Sequence, residues 1–226
     1  MSDVQPDLAT DPGPEHLAPT SFLDSEDRTV REFAQSAVAG AWSERERVQR
    51  LFAAVRDAIR YDPYTVSNDP GDYRASAVIA KEVSWCVPKA VVLTAAARSL
   101  GVPARLGFSD VRNHLQSPRL AELMATDVFV YHGYTEMHVG GAWRKATPAF
   151  NATLCERFGV APLEFDGTED ALLHPFAGDG SRHMEYVHDR GVYLDLPLQR
   201  ILAEFAAAYP RPLRRPSDLE DPAFAE

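Results

Sequence analysis

Apolar residues at Val48, Leu51, Phe52, Val55 and Ile59 recur every three or four positions, the spacing of one helix face. Ser43, with Glu46 three residues on, forms a capping box that opens this helix, which is predicted to run to about Arg60. An earlier helix, capped by Ser25 or Asp27, is predicted through Phe33 and Val38, and residues 74–82 read as a short one. From Cys86 to Leu100 the chain is apolar nearly all round, which marks a buried helix. Pro88 suits its first turn, and Gly101 and Pro103 supply the stop. The pattern then changes to strands: Val102 to Ser109, and Thr126 to Val139 followed by Ala142 to Thr147 across a Gly140-Gly141 hairpin turn. Pro162 to Asp166 reads as a further strand and Leu196 to Tyr209 as a closing helix. Helices first and antiparallel strands after them predict an α+β architecture.

Both ends depart from this pattern. Pro6, Pro12, Pro14 and Pro19 sit among acidic and small residues, a composition with little apolar surface to bury, so residues 1–20 are expected to be a disordered leader. Residues 210–226 form a tail rich in proline and charge, leaving 21–209 as a single domain. A formal net charge of -10 argues against nucleic-acid partners, which need lysine and arginine to neutralise phosphates. No apolar run reaches the roughly 18 residues of a membrane-spanning helix. The first basic residue is Arg28, so a charged export signal is not evident. With two cysteines, Cys86 and Cys155, the expectation is a reduced, cytoplasmic protein without a disulfide and without membrane partners. The oligomeric state is left open.

Cys86 carries the candidate chemistry. At a helix start, unpaired N–H groups and the helix dipole favour an anion, and a thiol there falls below its free pKa of about 8.5. The same N–H groups can hold an oxyanion. The partner is His132. With Gly140-Gly141 as the loop, Val139 pairs with Ala142, Glu136 with Lys145, Tyr134 with Thr147 and His132 with Ala149. Thr147 and Asn151 are then diagonal neighbours of His132 and candidates to orient its ring, although Pro148 can end the ladder before Asn151. His138 is expected to be structural. His183, Glu185 and His188 gather possible metal ligands, but on a strand His188 does not share the face of the other two, so neither a metal nor a cofactor is expected.

The run ASAVIAKEVSWCVPKAVVLTAAARSLGVPARLGFSDV resembles the nucleophile segment of transglutaminase-like domains, and HGYTEMHVGGAWRKATP resembles their histidine segment. With His132 as the catalytic histidine, Glu136, Gly141, Trp143 and Pro148 fall at the family's expected places. The resemblance spans residues 45–150. It implies a papain-like, transglutaminase-like core, with N-terminal helices and the nucleophile helix packed on an antiparallel sheet. It also implies acyl transfer on a peptide or small amide, by Cys86 and His132 with Trp85 shaping the oxyanion pocket. The family's acidic member falls at Thr147, which can orient an imidazole but not stabilise its charge. The alternative reading is a catalytically weak or inactive domain that binds a peptide or protein.

Overall fold

The computed structural model describes residues 11–174, 177–181, 183–213 and 221–224. Helices α1 (Arg28–Ala37), α2 (Glu44–Ala58) and α3 (Ala75–Lys81) come first, with a two-residue parallel pair β1 (Arg60–Tyr61) and β2 (Val83–Ser84). Helix α4 (Cys86–Ser99) follows, then β3 (Ala104–Asn113), α5 (Pro118–Met124), β4 (Val128–Val139) and β5 (Ala142–Ala146). The chain closes with α6 (Ala152–Arg157), β6 (Met184–Tyr193) and α7 (Leu198–Ala208). The main sheet is antiparallel, in the order β5-β4-β3-β6.

The predicted caps form. Asp27 accepts the N–H of Thr29, and the Ser43 hydroxyl accepts that of Glu46. Helix α4 is the centre of the core: residues Cys86 to Arg98 are all buried, with α1, α2 and α3 on one side and β3 and β4 on the other. Its polar side chains are satisfied internally. Lys89 donates to the Arg56 carbonyl (2.8 Å) and to that of Ile59, which caps the end of α2. Arg98 binds the carbonyls of Ala104, Ala18 and Leu194, tying three segments to the end of α4.

Part of the expected leader is ordered. Pro14–His16 forms a 3-10 turn, and the fully buried His16 ring lies 5.0 Å from that of Trp143. Residues 1–10 lie outside the described residues. In the tail, Asp221 and Phe224 are buried, while 214–220, 225 and 226 are not described. The strand expected at Pro162 to Asp166 is instead a loop: its apolar residues are buried because Phe165 packs on Phe52 of α2, at 5.7 Å.

Candidate active site

Cys86 is the first residue of α4, with Trp85 as its N-cap. The thiol is ringed by backbone N–H groups, those of Gly133, Val87 and Cys86 itself. Gly133 comes from β4 and is the neighbour of His132, so the thiol lies against the strand that carries the imidazole. The approach is close: a Cβ on Gly133 would lie 2.9 Å from the Val87 Cα. Pairing of β4 with β5 stops at Thr135 and Ala146, so on that side Gly133 has no ladder partner and its N–H is free for the thiol.

His132 is aimed by a strained backbone. Tyr131 sits at φ +55°, a left-handed conformation that costs a non-glycine residue about 1–3 kcal/mol. The β3–β4 register shifts between Ser109 and Val111, and the skipped residue, Asp110, accepts the Tyr131 N–H at 3.0 Å. Arg190 clamps both Asp110 oxygens (2.8 to 3.1 Å) and lies 4.9 Å from the centre of the Tyr131 ring. The bulge is therefore held from three directions.

Burial sets the protonation of both groups. The Cys86 thiol is only 6% exposed and burial pushes it up to about 11, outweighing the N–H groups that pull it down. The expected lowering by the helix start is thus overridden by desolvation. His132, 5% exposed, is pushed down to about 4 by burial alone. In this closed state the pair is a thiol and a neutral imidazole.

The predicted register is correct through Glu136 opposite Lys145. The ion pair there is different: Glu136 binds Arg105 of β3 at 2.7 Å, and Lys145 lies over the Tyr134 ring. Beyond Ala146 the ladder ends, so the expected pairs Tyr134–Thr147 and His132–Ala149 do not form; the Thr147 N–H bonds the Ala171 carbonyl instead. Neither expected orienter holds His132 by a hydrogen bond. Among the described residues His132 Nε2 is buried without a hydrogen-bond partner, and the Thr147 hydroxyl lies beside the Tyr186 phenol. Asn151 accepts the Tyr61 N–H (3.0 Å) and donates to Thr153 (2.6 Å). The Trp85 indole packs between Tyr73 and Phe205, and its N–H is unpaired. His138 stacks edge-on against Trp143 at 5.3 Å.

Sequence reasoning missed Tyr186, whose ring lies 6.4 Å from that of His132 and whose phenol stands near Cys86. It lies on β6, a strand with too little apolar alternation to be predicted. His183 and Glu185 part ways: His183 is buried just before β6, while Glu185 reaches His114 and Arg112. His188 pairs with Asp110 in the ladder. Among the described residues no three such side chains converge as metal ligands.

The sequence matches the family model of the transglutaminase-like superfamily over residues 31–148, more than half of the chain. The chain belongs to the transglutaminase-like superfamily. The match contains both Cys86 and His132 and ends at Pro148, so β6, α7 and the tail lie outside the superfamily core. No curated protein matches the sequence. Among solved structures, similarity extends to a protein from Cytophaga hutchinsonii described as a candidate cysteine protease, at 16% identity and a TM-score of 0.48. That comparison covers 85% of this chain and 48% of the other, so this chain spans about half its length. An arylamine N-acetyltransferase from Mycobacterium abscessus shares 15% identity, with 88% of this chain and 76% of the other covered and a TM-score of 0.48. Among the described residues no helix is long and apolar enough to cross a membrane.

Proposed function

We propose that this chain is a cysteine hydrolase or acyltransferase acting on an amide or peptide bond, with Cys86 as nucleophile and His132 as its base. The observation that carries the reading is the thiol at the start of α4 under the N–H of Gly133, the neighbour of His132. Sγ attacks the carbonyl carbon while the thiol proton passes to His132, and the tetrahedral oxyanion takes hydrogen bonds from the N–H groups that ring the sulfur. His132 returns the proton to the leaving amine as the C–N bond breaks. Water or a second amine then attacks the thioester carbonyl and frees the thiol. Neutral His132 is ready to accept a proton, and both groups must be uncovered before a substrate can reach them.

The test is p-nitrophenyl acetate with intact-mass readout. One acetyl group on Cys86 at each enzyme, released with steady turnover, is expected; Cys86→Ala abolishes both. A second reading, a binding scaffold without chemistry, is favoured by the closed site and the thiol pushed up to about 11. Equal, slow labelling of Cys86 and Cys155 decides for the scaffold.

A further inference from the structure

Among the described residues, His132 Nε2, His183 Nδ1 and Gln116 Oε1 are buried without hydrogen-bond partners, and the three residues line one cavity. The rest of its wall is mostly apolar, including Phe129, Phe150 and Leu120. The open volume is about 20 Å³, and a single water needs roughly 10–15 Å³ and two to four polar partners. Each unpaired group is fixed in place. Gln116 donates its amide N–H to the Thr126 carbonyl at 3.1 Å, which leaves Oε1 as the free acceptor. The His183 ring stacks on Phe150 at 6.1 Å and 25°, and its carbonyl accepts the His114 N–H.

We infer that His183 and Gln116 position His132 through one bridging water, taking the orienting place of the acid that the chain lacks at Thr147. The inference rests on the catalytic reading of His132. The water accepts the His132 Nε2–H and donates one proton to Gln116 Oε1 and the other to His183 Nδ1, so every unpaired atom is satisfied. The imidazole is then locked in the Nε2–H tautomer, and its Nδ1 lone pair is left to face the thiol. All three partners are neutral, so they orient the ring without the charge that an aspartate supplies. His183 lies beyond residues 31–148, so this chain's C-terminal part supplies one arm of the device to Gln116 and His132 inside the matched region.

The test reads the His132 tautomer by ¹⁵N NMR on the full-length protein, a signal that requires no turnover. The wild type is expected to hold the Nε2–H form, and His183→Leu and Gln116→Leu to give a mixture. His183→Asn, whose side-chain oxygen replaces the Nδ1 acceptor, restores it. Acetylation of Cys86 falls about tenfold in each leucine variant, the scale of one lost hydrogen bond, and recovers with the asparagine. An Nδ1–H tautomer in the wild type, or an unchanged tautomer in both folded leucine variants, overturns the inference. If His183→Leu does not fold, Gln116→Leu decides alone, because Gln116 is only half-buried. Absence of Cys86 acetylation with the tautomers as stated sinks the catalytic reading and leaves the bridge standing.

Discussion

The placement of Cys86 and His132 was legible in the sequence, because it is local: a first helical turn and a strand position set by a hairpin. Their protonation was not legible. A helix start lowers a thiol pKa only while water or charge offsets burial, and here burial wins. This gives a distinctive pH profile. With His132 at about 4 and Cys86 at about 11, the neutral thiol and neutral imidazole that the mechanism uses are both fully populated in between, so acetylation should be level from about pH 6 to 9 and fall as pH drops toward 4. A rate that climbs about tenfold per pH unit from about 6 to 10 would mean that free thiolate reacts without His132, and contradicts the assignment. The same shifts act on stability. His132 and His183, both lowered to about 4, favour the fold fully above pH 6.5, and this is lost as pH falls toward 4. The raised Cys86 works in reverse, its contribution present below about 9 and lost as pH rises through 11.

Among the elements, the long periodic ones were readable and most short or polar ones were not, the seven-residue α3 being the exception. Helix α2 and hairpin β4–β5 match expectation because periodicity and turn residues agree. Helices α5 and α6 have seven and six residues, too few to display a period. Strand β6 is the sheet edge, and Glu185, His188, Asp189 and Arg190 give it the charge that keeps edges from pairing with other chains, which hides its alternation. Thr147 and Asn151 do not reach His132 by a hydrogen bond for an elemental reason: β5 stops at Ala146, before the register that would place them beside it. The contact between α4 and β4 depends on a missing side chain. Gly133→Ala puts a carbon 2.9 Å from the Val87 backbone, which cannot swing away as a side chain could. Overpacking of this kind costs about 1–3 kcal/mol, and the backbone shift that relieves it draws the residue-133 N–H away from the thiol. Denaturant melts should show that loss, with Cys86 acetylation falling further than stability alone explains; wild-type acetylation would show that the crossing is not where the chemistry occurs.

At the scale of the whole molecule, the described parts of both ends carry buried anchors that their composition does not announce. A proline-rich stretch has little apolar surface, yet one anchor each suffices: His16 at the start and Phe224 at the end. Phe224 packs around Tyr61, Tyr64 and Phe158 and walls the cavity that His132 and Cys155 share. Asp221 beside it accepts the Tyr64 (2.7 Å) and Ser117 (2.5 Å) hydroxyls. Removing residues 221–226 should therefore uncover the cavity, raising the iodoacetamide rate of Cys155 at least severalfold and lowering the melting temperature. Unchanged Cys155 labelling would mean that the tail covers nothing of consequence. The account as a whole turns on whether His132 serves Cys86. The direct measurement is the rate of the acetyl adduct on Cys86 from p-nitrophenyl acetate, followed by intact mass in wild type and His132→Ala. A fall of about a hundredfold or more, with Cys155 unmodified in both, is the predicted result; equal rates in the two proteins, or an adduct on Cys155, would contradict it.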